Sequence, residues 1–116
     1  MAKVRYVLLL PLTYNDGARV PKKVRDQIED EIYLLAGGYR YGAAGKGAYR
    51  MQSGHKQIDV TQEVWIVIEE EDESALKQLA GKFATLLDQE TIYLERTDGK
   101  PEFIPPSPVP VGGLFK

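Results

Sequence analysis

Three polar side chains near the middle of the chain have the chemistry of acid and base catalysis. They are Tyr49, His55 and Asp59. A phenol, an imidazole and a carboxyl can move protons for a substrate only if the fold brings them into one pocket. His55 is the sole histidine, and its neighbours show no ligand spacing, so we predict no metal site. A lone loop histidine is more typical of an exposed residue than of a catalytic one.

A second group of side chains has the chemistry to bind an anion. Between Ile32 and Ile58 the sequence has no acidic residue, and tyrosines alternate with cations there. Aromatic faces beside cations can stack bases and hold phosphates, so nucleic acid is one candidate partner. Cations in the first turn of a helix oppose its dipole and therefore do not serve its stability. The candidate anion-binding residues are Arg19, Lys22, Lys23, Arg40, Lys46, Arg50 and Lys56.

These cations also have a purely structural interpretation. Lys22 and Asp26 are spaced as an i, i+4 ion pair on a helix, which is worth only about a few tenths of a kcal/mol. Lysines on an edge strand also hinder the pairing of one sheet with another. The sequence leaves both interpretations open.

Composition excludes several kinds of chemistry. The chain has 116 residues, a net charge of -2 and no cysteine, which fits one globular domain without disulfides, thiolate metal sites or a cysteine nucleophile. Its first apolar run is too short to span a membrane or to act as a good signal peptide. No glycine-rich phosphate loop is present, so we predict no cofactor. A reducing cytoplasm is the expected location, and we expect a protein of bacterial or phage type.

The elements that must position these residues can be predicted from apolar periodicity. Residues 4–10 are mostly apolar and residues 64–68 are an uninterrupted apolar run, so residues 4–10 and 63–68 are predicted to be the inner strands of a sheet. Residues 21–36 have apolar side chains at helical spacing, between Pro21 and the stop signal Gly37-Gly38. A second helical pattern follows the acidic residues 69–73 and runs from Leu76 to Leu87.

The remaining segments complete one topology. The glycine-rich residues 39–51 predict a bent edge strand, and residues 91–96 predict another strand of mixed exposure. Asp98-Gly99 predicts a hairpin that folds residues 102–104 back on the last strand. The order βαββαβ is that of a ferredoxin-like α+β fold, with a four-stranded antiparallel sheet, two helices on one face and a short extra strand. Residues 1–104 would form this domain, and residues 105–116 a Pro-rich tail.

Two helices cover only one face of such a sheet, and this predicts association between copies of the chain. Apart from Arg5, both sets of alternating positions in residues 4–10 are apolar, so a homodimer or higher oligomer would bury the second face. Trp65 and Phe83 lie on regular apolar patterns and are predicted to be core residues. The tail carries four apolar residues that could dock on a partner. They are Val109, Val111, Leu114 and Phe115.

Short motifs along residues 3–104 resemble those of a known group. The group consists of uncharacterised short bacterial proteins with a ferredoxin-like fold and a domain of unknown function. The resemblance implies the fold and a cytoplasmic setting, and it implies no activity. The motifs are Val20-Pro21, Glu31-Ile32 before Gly37-Gly38-Tyr39, Gly45-Lys46-Gly47-Ala48-Tyr49, Gly54, Asp59 and Gln89-Glu90-Thr91-Ile92-Tyr93.

Two functional hypotheses follow. The preferred one is a non-enzymatic oligomeric module for binding or assembly, whose basic end holds an anionic ligand or partner. The alternative is a small ferredoxin-like enzyme, of the monooxygenase or isomerase kind, with a pocket between the sheet and the helices. In that pocket Tyr49, His55 and Asp59 would supply the polar groups.

Overall fold

The computed structural model describes residues 2–99 and 101–108. Within these ranges no helix is long and apolar enough to cross a membrane. A 3-10 turn at Glu70–Asp72 leads directly into the second helix. The strands and helices are β1 (Lys3–Pro11), α1 (Lys22–Ala36), β2 (Arg40–Arg50), β3 (Lys56–Glu69), α2 (Glu73–Leu86), β4 (Ile92–Arg96) and β5 (Pro101–Ile104).

The five strands form one antiparallel sheet in the order β2-β3-β1-β4-β5. The prediction that the first and third strands lie inside the sheet is confirmed. The short strand β5 pairs with β4 from Ile92↔Ile104 to Glu95↔Pro101, so it covers the edge that β4 would otherwise expose. The α+β class is therefore established, and the strand order is compatible with a ferredoxin-like arrangement.

The hydrophobic core lies between one face of the sheet and the two helices. Side chains alternate across a strand, so every second residue of β1 points into this core. Tyr6 and Leu8 are each 1% exposed, and Phe83 of α2 is fully buried, as predicted for Phe83. The main contributors from the helices and inner strands are Val4, Tyr6, Leu8, Leu10, Ile28, Ile32, Val64, Ile66, Ile68, Leu76, Ala80 and Phe83.

The first residues of the Pro-rich segment lie against α2. The Ser107 N–H donates to the Gly81 carbonyl at 3.1 Å, and the Thr85 hydroxyl donates to the Ser107 carbonyl. A side chain at position 81 would collide with Ser107 Oγ at 2.9 Å, so glycine permits this close approach. The apolar tail residues Val109, Val111, Leu114 and Phe115 lie outside the described residues.

A polar network joins the sheet to the start of α2. The hydroxyl of the buried Tyr6 donates to the Glu73 carboxylate, and the Arg96 guanidinium donates to the same carboxylate at 3.1 and 3.2 Å. Arg96 also binds Asp98 in the β4–β5 turn at 2.6 Å. The Tyr6 hydrogen bond, and then that from Arg96, lowers the pKa of Glu73, while burial and Glu73 raise the pKa of Tyr6. The network therefore favours the ionised carboxylate.

This network predicts a defined sensitivity to acid. A carboxyl whose pKa is lowered by folding contributes stability above its unfolded pKa, and that contribution is lost as pH falls through the folded pKa. We expect Tyr6→Phe to lower the free energy of unfolding by about 1 kcal/mol at neutral pH. This loss of unfolding free energy should be smaller at a pH below the ordinary glutamate pKa of about 4.3. Urea titrations at neutral pH and at that lower pH measure the difference.

Tyr33→Phe is the matched control, because Tyr33 is 58% exposed on α1. It should change the free energy of unfolding by less than about 0.5 kcal/mol. A Tyr6→Phe loss of equal size at both pH values would show that the hydroxyl does not act through Glu73.

Candidate binding site on the open sheet face

The face of the sheet opposite the helices, called the open face below, is lined by apolar and aromatic side chains. Val7 of β1 is buried even there, whereas Val67 is 47% exposed and Phe103 is 62% exposed. Trp65 pairs with Val7 across β3 and β1 and therefore also belongs to the open face. The prediction that Trp65 is a core residue is wrong, because its neighbours Val64 and Ile66 take the core positions.

A cavity of about 610 Å³ lies where the open face meets the end of α1 and the start of β2. We call it the Trp65 cavity. Its volume is in the range of sites for small organic ligands. Its walls combine aromatic rings, two guanidinium groups and backbone from the turn after α1. The lining residues are Arg5, Ala36, Gly37, Gly38, Tyr39, Arg40, Tyr41, Gly42, Trp65 and Val67.

The aromatic and cationic groups of the Trp65 cavity form two contacting pairs. The Arg5 guanidinium carbon lies 4.9 Å from the centre of the Trp65 ring, within the distance of a cation–π contact. Tyr39 and Tyr41 have ring centres 5.6 Å apart at an angle of 56°. Burial, and then the carboxylates Glu29 and Asp30, raises the pKa of Tyr39, so its phenol stays neutral. Such flat surfaces are suited to stacking a nucleobase.

The turn before the cavity begins where α1 ends. Gly37 has φ of 80°, a left-handed conformation that glycine adopts without strain and that commonly terminates helices. The predicted stop at Gly37 is thus confirmed. It brings the chain directly from α1 into β2, and so places Tyr39 and Arg40 beside Trp65.

A β-bulge shapes the wall of the cavity between Tyr41 and Ala44. The Gln62 amide donates to the Gly42 carbonyl at 2.8 Å, and the Ala43 N–H donates to Glu63 Oε1 at 3.1 Å. Bulges bend a strand and re-aim its side chains, and they are common next to active sites. Two polar side chains of β3 therefore hold β2 in the conformation that forms the cavity.

A second cavity, of about 260 Å³, lies at the other end of the open face. We call it the Asp59 cavity. Asp59 Oδ1 is buried and has no hydrogen-bond partner among the described residues. Burial raises the pKa of the Asp59 carboxyl, against an opposing hydrogen bond with Gln57. The lining residues are Leu9, Pro11, Gly47, Ala48, Asp59, Thr61, Gln89, Thr91, Ile92, Tyr93 and Phe103.

The three predicted acid–base residues have different surroundings. Asp59 lines a cavity, whereas His55 is exposed in the β2–β3 turn, with its backbone N–H directed at Ser53 Oγ, 3.3 Å away. Tyr49 pairs with Gln57 in the strand register, and its side chain lies outside the described part of the structure. His55 lines neither the Trp65 cavity nor the Asp59 cavity. A catalytic role for Tyr49 and His55 stays a prediction.

The predicted anion-binding residues are spread over the molecule. Arg40 lines the Trp65 cavity at the start of β2, while Arg50 pairs with Lys56 at the other end of that strand. At about 3.3 Å per residue these two positions are roughly 30 Å apart. Lys22 at the start of α1 forms an ion pair with Asp26 at 2.8 Å, as the structural interpretation predicts. The others are Arg19, which pairs with Thr13, Lys23 on α1, and Lys46, opposite Val60.

Comparison with known proteins gives similarity of structure only. No protein-family model and no curated protein matches the sequence. A phage SAM (S-adenosylmethionine) lyase in complex with S-methyl-5'-thioadenosine aligns with a TM-score of 0.67 and 16% identity over 89% of each chain. A phage SAM lyase in the apo state aligns with a TM-score of 0.55 and 15% identity, covering 93% of this chain and 91% of that one. At such identities the likeness shows a shared fold.

The bulge predicts that glycine is required at one position and not at a neighbouring one. A methyl carbon at position 42 would overlap the Trp65 indole nitrogen and lie 2.5 Å from Glu63 Oε1, whereas one at position 45 meets nothing within 4 Å. Gly42→Ala should therefore displace the indole, and Gly45→Ala should not. Trp65 is the sole tryptophan, so its fluorescence reports the change directly. Equal emission spectra for the two variants would contradict the described packing.

Proposed function

We propose that this protein is a small enzyme that binds an S-adenosyl sulfonium compound in the Trp65 cavity and cleaves it. The observation that carries the proposal is this aromatic cavity of about 610 Å³ on a fold shared with a phage SAM lyase. That lyase was solved with S-methyl-5'-thioadenosine and aligns over 89% of both chains. The proposal includes a ferredoxin-like fold for the chain, which the strand order supports.

The walls of the cavity suit the adenosine part of such a substrate. The Trp65 indole and the Arg5 guanidinium offer planar surfaces for adenine, and Tyr39 and Tyr41 also line the cavity. Stacking of a base on an aromatic side chain contributes about 1–3 kcal/mol. The Gly37 N–H is already bonded to the Tyr33 carbonyl at 2.8 Å. Gly38, which also lines the cavity without a side chain, is the residue that can offer backbone polar groups to the ribose and the base edge.

The two guanidinium groups suit the sulfur chemistry. The sulfonium of SAM is positive, whereas S-methyl-5'-thioadenosine is a neutral thioether. To form it, the bond from sulfur to the γ carbon of the aminobutyryl chain must break with its electron pair staying on sulfur. The carboxylate of the same chain can form the new bond to that carbon and close a lactone, so that no second reactant is needed. No carboxylate lines the cavity among the described residues. The positive charges of Arg5 and Arg40 therefore destabilise the sulfonium more than the transition state, in which the sulfur loses its charge. The same groups can bind the substrate carboxylate.

The structural comparison favours the enzyme hypothesis over the non-enzymatic module. The pocket differs in place from the one predicted, because it opens on the uncovered face of the sheet and not between sheet and helices. The basic end of the module hypothesis stays a prediction, and Arg50 and Lys56 lie opposite each other beside the β2–β3 turn. The resemblance to short bacterial proteins and the cytoplasmic location stay predictions.

The open face also supports association between copies. Val67 and Phe103 are large apolar side chains with 47% and 62% of their surface exposed, on a face that neither helix covers. A second copy of the chain placed there would bury them and would close the Trp65 cavity from solvent. A homodimer or higher oligomer therefore remains part of the proposal.

The test is the appearance of S-methyl-5'-thioadenosine from SAM. Purified protein should raise its rate of formation, measured by liquid chromatography, above the rate in protein-free buffer. Trp65→Ala should lower the catalysed rate by about five- to 150-fold, the equivalent of one lost stacking contact. Tyr33→Ala, on exposed α1 surface, is the control and should keep the wild-type rate.

Formation at the buffer rate by the wild-type protein would overturn the proposed activity. Equal rates for Trp65→Ala and Tyr33→Ala would instead overturn the assignment of the Trp65 cavity as the site.

A further inference from the structure

The Asp59 cavity is a separate site from the Trp65 cavity. Asp59 and Trp65 lie six residues apart on the same strand, β3, which corresponds to about 20 Å. The two cavities have no lining residue in common. A ligand in the Trp65 cavity would therefore leave the Asp59 cavity empty, and the chemistry of the second cavity has to be derived from its own walls.

Most of the wall of the Asp59 cavity is apolar. Pro11 and Ile92 contribute aliphatic surface, and Phe103 packs edge to face against Tyr93 with ring centres 5.5 Å apart. At about 30 Å³ for each water of liquid volume, 260 Å³ would hold roughly nine waters. A single ring with a short side chain occupies a similar volume. The shape and polarity of the wall thus favour a small molecule with an apolar body.

Two of the side-chain donors in the wall are bound to other groups than Asp59. The Gln89 amide nitrogen donates to the Leu87 carbonyl at 3.0 Å, and the Tyr93 hydroxyl donates to Glu95 Oε1 at 3.0 Å. No lysine or arginine lines the cavity within the described residues, so Asp59 is its charged group. A buried carboxylate oxygen without a donor is energetically unfavourable. A cationic donor placed beside it would remove this cost.

We propose that the Asp59 cavity binds a small organic ammonium ion, with its N–H groups donating to the Asp59 carboxylate and its apolar body against Pro11, Ile92 and Phe103. The carboxylate would repel an anion, and the apolar wall favours a ligand with an apolar body. The inference rests on the geometry of this cavity and does not depend on the proposed sulfonium chemistry.

Gly47 provides a second way to test the site without altering Asp59. It pairs directly with Asp59 across β2 and β3, so a side chain there would lie beside the carboxylate on the same face. A Cβ at position 47 meets nothing within 4 Å, so the added side chain would occupy the cavity without a clash. Gly45, two residues away on the same strand face, is equally open but does not line the cavity.

The experiment is a titration of the full chain with 2-phenylethylamine, followed in ¹H–¹⁵N correlation spectra. The amine should shift the backbone amides of Asp59, Thr61 and Phe103 in a saturable manner. Its neutral analogue 2-phenylethanol should bind at least tenfold more weakly, because a hydrogen bond to a charged group is worth about 1.5–3 kcal/mol. Asp59→Asn and Gly47→Val should each weaken amine binding by at least tenfold, and Gly45→Val should not.

Several results would overturn the inference. One is equal affinity for the amine and the alcohol, and another is unchanged amine binding by both Asp59→Asn and Gly47→Val. Shifts confined to other parts of the chain, or no saturable shift, would also contradict it. None of these results bears on the cleavage of SAM, because the amides that report each site are different.

Discussion

The arrangement of this molecule depends on one constraint: two helices bury one face of a five-stranded sheet whose inner strands are apolar on both faces. A strand residue can face only one side, so the alternate residues that do not meet the helices form a second apolar surface. Val7, Trp65 and Val67 lie there because Tyr6, Val64 and Ile66 occupy the core. Both cavities are depressions in this uncovered surface. The candidate chemistry therefore lies opposite the helices.

The topology was accessible from sequence because its signals are local. The end of α1 at Gly37 and the bend of β2 among glycines follow from backbone preferences that neighbouring residues carry. The same sequence could not show which of Gly42, Gly45 and Gly47 forms the bulge, because only Gly42 meets Trp65 and Glu63. That contact depends on the register between two strands. It decides the shape of the candidate site.

Trp65 shows why the site was harder to predict than the fold. In an uninterrupted apolar run there is no polar residue to mark which positions face outward, so the pattern predicts burial for all of them. Asp59, in contrast, was identified as a candidate because it is polar. The sequence could not show whether Asp59 lies close to His55, because that distance depends on how far the β2–β3 hairpin extends. The net charge of a segment likewise does not show how far apart its cations lie. Arg40 and Arg50 are at opposite ends of β2, which is 11 residues long.

The central claim is that the open face at Trp65 recognises a thioadenosine nucleoside. The most direct measurement is a titration of the wild-type chain with S-methyl-5'-thioadenosine, followed in ¹H–¹⁵N correlation spectra. We expect saturable shifts of the Trp65 indole N–H and of the backbone amides from Gly37 to Gly42. Absence of saturable shifts, or shifts confined to the α1 N-terminus and the β2–β3 turn, would contradict it.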